Sequence, residues 1–354
     1  MRLLKILFAQ SMYIFLMTTR EGLTMEFTFG LETSPFGILF WGIIVGYVFS
    51  TVGAAGAVLT FIGQAVIFKF DKAMIKHLID QGVGQAEAKA TAKNTMKVHN
   101  LMAVILSPII AVPRYFKEKR VAIPLAISVA AGVVFGAIIG PMIPMTLKDY
   151  KFWFGIITFI IGIRLFYETT DYARNKKKKL KAVSKKFEEK VQELKKSGNW
   201  DELAKDGFKV DQFNISGLKF TFWGEQFSIN PLLAALGGFV IAIIASMFGL
   251  GGGFMLVPYL SSIFVLPMFV VSGTSITIVL VNSTVAIISY LLKGAQPDLM
   301  FMGIMLVGIA VGSFIGPATQ KYYKEKYLRL FLAAILFFYG LRFMGVWAAL
   351  GIPI

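Results

Sequence analysis

Long apolar runs separated by polar stretches dominate this chain. They fall at about 36–68, 98–116, 121–145 and 150–167, and again at about 231–268, 270–292, 299–319 and 327–350. A helix that crosses a membrane needs roughly 20 consecutive apolar residues. The runs are continuous and lack the alternation, in segments of about ten, of a membrane β-barrel. The pattern therefore predicts an all-α polytopic membrane protein. Two runs, 36–68 and 231–268, are too long for one crossing, and each holds a glycine cluster. A further apolar run, 3–17, has Arg2 and Lys5 at its start. It lacks a clear small-x-small cleavage site, so a membrane or interfacial helix is expected there rather than a signal peptide.

The glycine clusters are the sharpest local signal. Gly249-Leu250-Gly251-Gly252-Gly253 precedes Phe254-Met255-Leu256-Val257-Pro258, and a degenerate copy reads Gly53-Ala54-Ala55-Gly56-Ala57. Each helical glycine costs roughly 1 kcal/mol relative to Ala, so neither cluster continues a helix. In a membrane, such a break is tolerated only where protein or a water-filled cavity covers the freed backbone groups. Two breaks at matching places in two halves point to a transporter binding site.

Further matches follow in the same order. Gly136 and Gly140, before Pro141, match Gly312 and Gly316, before Pro317; Gly162 and Arg164 match Gly340 and Arg342. The chain thus reads as an internal repeat. Residues 1–35 form an N-terminal helix and loop, 36–167 the first membrane repeat, 168–230 a basic loop, and 231–354 the second membrane repeat. In the loop, four lysines at 176–179 precede Leu180, Val183, Phe187, Val191 and Leu194, one helical stripe. Phe220, Phe222, Trp223 and Phe227 suggest a strand-like or interfacial return.

Charge orients this arrangement. The positive-inside rule puts the loop in the cytoplasm, with Arg114, Lys117, Lys119 and Arg120 on the same side. If each glycine-broken run counts as two crossings or two half-helices, Lys321, Lys324, Lys326 and Arg329 also fall inside. The two repeats are then inverted. Six lysines within 69–97 fall outside, where charge gives no account of them; a fold-back into a vestibule is one reading.

Composition supports the class: 56% of residues are hydrophobic and 16% charged, against about 25% charged in globular chains. The net charge of +16 lies largely beside the membrane segments, so nucleic acid is not an expected partner. There is no cysteine and there are two histidines, too few for a His-built metal site. No metal or other cofactor is expected. The glycine break is no dinucleotide fingerprint, since Phe254 stands where the third glycine belongs. An intramembrane enzyme would need a His/Glu set, a Ser–His pair or paired Asp in the spans, and none is present.

Candidate site residues gather around the breaks. Backbone N–H groups of Gly53, Gly56, Gly249, Gly251, Gly252 and Gly253, with the adjoining helix N-termini, suit an anion; close helix packing is the competing reading. Lys93, Lys97 and Asn100 share a helix face, and Asn282 holds the matching place of Asn100 in the second repeat. Thr274, Ser275, Thr277, Ser283 and Thr284 add hydroxyls, with back-bonding to the helix as the alternative. His99 could carry a coupling proton or merely hydrogen-bond. Gly136, Gly140, Gly312 and Gly316 read as packing. Arg164 and Arg342 read as arginines snorkelling to headgroups.

The Gly-x-Gly-Gly-Gly break leading to a proline, the Ser272-Gly273-Thr274-Ser275 helix start, Leu291-Leu292-Lys293-Gly294 and the Gly-x-x-x-Gly that follows resemble the TauE/SafE family of sulfite and organosulfur-anion exporters. The resemblance covers nearly all of 36–350 and is strongest in the second half. Ala55 and Ala57 depart from it, as do the long 69–97 insertion and the central loop. It implies a secondary transporter in the cytoplasmic membrane that exports a small oxyanion (sulfite, sulfoacetate or a related sulfonate) by alternating access. A small inorganic or organic sulfur anion and membrane lipid are the implied partners; proton or ion coupling and a homodimer are compatible with it. An anion channel of the same fold is the main rival, and a scaffold or sensor acting through the loop a lesser one.

Overall fold

The computed structural model describes residues 24–52, 56–118, 120–170, 208–214, 217–222, 225–264, 266, 268–319 and 325–351. The run 3–17, Gly53 with Ala54 and Ala55, Lys119, the lysines at 176–179 with the stripe after them, Trp223, Lys321 and Lys324 lie outside the described residues.

The described chain is mainly helical. A two-residue strand pair, β1 (Met25–Glu26) and β2 (Glu32–Thr33), precedes α1 (Pro35–Val52). Then come α2 (Gly56–Ile62), a π turn (Gly63–Ile67), α3 (Phe70–Asp80), α4 (Gln85–Lys117), α5 (Ile123–Met142) and α6 (Leu147–Glu168). The loop region contributes β3 (Phe208–Asn214), β4 (Gly217–Phe222) and β5 (Glu225–Ile229), an antiparallel sheet in that order. In it Phe220 pairs with Phe227, and their rings stack at 5.3 Å, so the strand-like return is a small sheet. The second half has α7 (Pro231–Phe248), α8 (Gly253–Ser262), α9 (Met268–Leu292), α10 (Leu299–Thr319), α11 (Glu325–Phe343) and α12 (Val346–Ala349).

Among the described residues seven helices are long and apolar enough to cross a membrane: α1, α4, α5, α6, α7, α9 and α10. Local signals set their starts. Asn230 accepts from the N–H groups of Leu232 and Leu233, with Pro231 at the first helical position of α7. Thr146 caps α6 by accepting from Asp149 N–H.

Each glycine-broken run, expected as two crossings or two half-helices, is a full-length helix followed by a short one folded back along it. Tyr259 on α8 donates to the Leu233 carbonyl near the start of α7, while Gly252 lies beside Ala245 near its end. Likewise Trp41 on α1 donates to the Leu59 carbonyl on α2, and Gly56 packs on Phe49. Ten residues of α8 rise about 15 Å, half of a hydrocarbon core about 30 Å thick. The 69–97 insertion forms α3 and the first part of α4; α3 buries Phe70, Met74 and Leu78.

The helices form two compact units. One holds residues up to Ala103 with Gly294–Glu325, the other Val104–Lys293 with Lys326–Ile354. In the first unit α1 packs on α10, and in the second α7 packs on α5. Each pair thus joins the first helix of one sequence repeat to the third helix of the other. Small residues allow the approach: a Cβ on Gly46 or Gly312 would strike the carbonyl of Ile309 or Ile43, and one on Gly136 or Gly140 would strike α7. The Gly-x-x-x-Gly pairs are therefore packing devices.

Candidate functional site

In the first unit, the candidate residues lie on α4 and on the π turn facing it. Residues 92–101 of α4 are buried without interruption, including Lys93, Lys97, His99 and Asn100. The π turn begins at Gly63, whose position permits no Cβ against the Trp41 indole, and closes with Phe68 N–H donating to the Gly63 carbonyl. Such single π turns recur at functional sites. This one carries Gln64, fully buried.

Gln64 joins two of the expected site residues. Its Nε2 donates to Asn100 Oδ1 at 3.0 Å, and its Oε1 lies 2.9 Å from His99 Nδ1. His99 Nε2 accepts from the Asp298 N–H at 3.0 Å. The ring is enclosed by Phe70, with centroids 4.9 Å apart, and by Phe301, which stacks on it at 5.9 Å. Asp298 is itself buried, and its carboxylate is satisfied by backbone donors. Oδ1 accepts from Met300 and Phe301 N–H and so caps α10; Oδ2 accepts from Thr28 N–H. Asn100 Nδ2 has no acceptor among the described residues, although Asn100 is completely buried.

With both ring nitrogens engaged, one as an acceptor from a backbone N–H, His99 is held as a neutral ring that carries its proton on Nδ1. The expectation of a mobile coupling proton on His99 has no support in this arrangement; the ring positions Gln64 instead.

The second unit holds the other break. Gly249, in left-handed backbone, closes α7, with its N–H donating to Ser246 and Leu250 N–H donating to Ala245. Gly251 (φ +70°) and Gly252 (φ +88°) take conformations that L side chains rarely adopt. A Cβ on Gly251 would also collide with Val104 and lie 3.3 Å from Ser283 Oγ. The space expected to seat an anion at Gly251 is filled by protein. Gly253, the first residue of α8, differs: an added Cβ meets only Val279, at an ordinary 3.5 Å. Gly56, at the matching helix start, is packed against Phe49.

Asn282 Nδ2 donates to the Gly251 carbonyl at 3.2 Å and so ties α9 to the break. Its Oδ1 and the hydroxyl of Ser283 have no partner among the described residues, and both residues are buried. The matched asparagines therefore differ: Asn100 leaves a donor open, Asn282 an acceptor. Other hydroxyls are committed elsewhere. Thr274 Oγ1 accepts from Ala122 N–H at the start of α5, Ser275 donates to the Ser272 carbonyl, and Thr277 and Thr284 bond back to carbonyls four residues earlier. Thr274 and Ser275 thus do not join Asn282 at the break.

Arg164 does not reach for headgroups. Its guanidinium donates to the carbonyl of Phe254 in α8 and pairs with Glu168, which also pairs with Arg329. Pro258 explains the first contact: it has no N–H, so the carbonyl four residues before it, Phe254, lacks its helical donor. Arg342 lies in the last turn of α11.

Sequence reasoning missed Gln64 and Asp298. A lone amide in the apolar run 56–68 was a usable signal, because such a group is costly in lipid. Asp298 sits between two apolar runs and is placed by contacts about 200 residues distant in sequence.

Comparison with known proteins agrees with this architecture. The family model described as "Sulfite exporter TauE/SafE" matches residues 38–343. The chain is similar to the "Probable membrane transporter protein YunE" of Bacillus subtilis (strain 168), 22% identical over 243 residues, which cover 68% of this chain and 77% of that relative. No solved structure matches the chain.

Proposed function

The chain belongs to the TauE/SafE family of multi-pass membrane transporters, and from that premise we propose that it exports a small oxyanion (sulfite, sulfoacetate or a related sulfonate) across the cytoplasmic membrane by alternating access. The observation that carries the reading is the Asn100 amide: completely buried, fixed through its oxygen, and with its NH₂ lacking an acceptor among the described residues. A buried donor left unmatched costs about 1–3 kcal/mol. An oxyanion oxygen removes that cost. Lys97, one helical turn earlier and buried, places a cationic side chain on the same helix face. Intramembrane cations are costly and concentrate on ion and substrate paths.

In the second unit, Gly253 at the start of α8 has more room beside it than Gly251 or Gly252. The first backbone N–H groups of α8 carry the positive end of a helix dipole. The bond from Asn282 to Gly251 holds that helix start in place. Gly249, Gly251 and Gly252 serve by their backbone conformation rather than by contact with the anion.

Solid-supported-membrane electrophysiology on the purified protein, screened over sulfite, sulfoacetate, thiosulfate and simple carboxylates, tests the substrate class. Currents that saturate with sulfite or a sulfonate support the reading. Currents with carboxylates alone would replace the substrate class, and no current with any oxyanion would remove it.

A further inference from the structure

The hydrogen bonds of the first unit form a chain with a fixed direction. It starts at a backbone N–H, the one group in the series that cannot reverse. Asp298 N–H donates to His99 Nε2, so that nitrogen carries no proton. The neutral ring then bears its hydrogen on Nδ1, 2.9 Å from Gln64, and needs an acceptor there. That requirement turns Gln64 Oε1 toward His99 and Nε2 toward Asn100. Gln64 Nε2 is a donor, so Asn100 presents Oδ1 to it, and the Asn100 NH₂ is left without a partner among the described residues. Burial removes water as an alternative partner at each step: Gln64, His99 and Asn100 are all completely buried.

We propose that Asp298, His99 and Gln64 are positioning residues that hold Asn100 as an obligate hydrogen-bond donor, so that the site accepts an acceptor-only oxyanion and refuses ligands that present a donor. The proposal rests on the oxyanion reading of Asn100 and adds how selectivity is set. An isolated asparagine presents its oxygen or its NH₂ with equal ease, because the amide rotates by half a turn. Here rotation would set Asn100 NH₂ against Gln64 NH₂, and Gln64 cannot turn to relieve it without setting its own NH₂ against His99 Nδ1–H. The backbone of Asp298 blocks the remaining change of tautomer. The device needs no charge at the point of contact, and it discriminates by the sense of the hydrogen bond.

The chain has two histidines, which makes the first link readable. His77→Gln leaves His99 as the sole reporter, since His77 is at a separate place on α3. Nitrogen-15 NMR of histidine-labelled protein in lipid nanodiscs should show one neutral tautomer with Nδ1 protonated and Nε2 bare. A ring protonated on Nε2, or on both nitrogens, at neutral pH would overturn the proposal, whatever the fate of any variant.

The second arm is calorimetric sulfite binding. Asn100→Leu should weaken it roughly 5- to 150-fold, and Gln64→Met about fivefold, the value of one well-oriented neutral hydrogen bond. Because Gln64 acts only through Asn100, the double variant should bind no more weakly than Asn100→Leu alone. Losses that multiply would overturn the proposal. If the tautomer is as stated and the wild-type protein binds no sulfite or sulfonate, the oxyanion reading fails while the directed chain stands. If sulfite binds and Asn100→Leu leaves its affinity unchanged, the directed chain has no part in selectivity.

Discussion

Removing Arg164 should cost more than a membrane-interface arginine is worth, and Pro258 should be the reason. Arg164 supplies the donor that Phe254 lacks because proline stands four residues later. Arg164→Met leaves that carbonyl without a partner, at about 1–3 kcal/mol. It also removes the 3.5 Å pair with Glu168. The arginine is one-third exposed and Glu168 keeps Arg329, so this second loss is worth about 0–1 kcal/mol. The sum is about 1–4 kcal/mol. In a Pro258→Ala background the residue at 258 can donate to Phe254 itself, and Arg164→Met should then cost about 1 kcal/mol or less, leaving a coupling of about 1–3 kcal/mol. Reversible denaturation in mixed micelles of the wild type, both single variants and the double variant supplies the four free energies. Costs that add to within about 0.5 kcal/mol would refute the link between proline and arginine.

The glycines of the break should separate into two classes. Gly251→Ala, with positive φ and Val104 in the way, should reduce folded yield, whereas Gly253→Ala should keep stability within about 1 kcal/mol of wild type and Gly253→Leu should fold but lose sulfite binding; unchanged affinity in Gly253→Leu would remove the start of α8 from the site. Asn282→Leu strands the Gly251 carbonyl and should lower stability by about 1–3 kcal/mol, with Asn282→Ser milder; equal stability of Asn282→Leu and wild type in thermal unfolding would show that α9 does not hold the break. Gly312→Leu, which puts a side chain against the Ile43 carbonyl of α1, should prevent folding of the first unit, and normal yield in detergent extracts would contradict the close α1–α10 approach.

The span class and the packing role of the Gly-x-x-x-Gly pairs were legible because both depend on local pattern: run length sets the helices, and small residues recur where two helices touch. The packing partners were not legible. Nothing local states that Gly312 meets Ile43 or that Gly136 meets Phe239, since each contact joins residues from different repeats. The break itself was visible in residues 249–253, but its fold-back form depends on Tyr259 reaching Leu233. Asn100 and Asn282 stood out as amides at matched places in apolar runs. Their opposite polarity could not be read, because it is set by Gln64 in one case and by a backbone carbonyl in the other. Thr274 shows the converse error: a hydroxyl at an inviting position proves to be the acceptor for the start of α5.

Sulfite counterflow is the most direct test of an exporter that works by alternating access. Proteoliposomes loaded with unlabelled sulfite and diluted into trace radiolabelled sulfite should take up label transiently above its equilibrium level, with a rate that saturates in external sulfite and is lost in Asn100→Leu. Flux that rises linearly without an overshoot would indicate a channel, and uptake no greater than in protein-free liposomes would contradict sulfite transport by this protein.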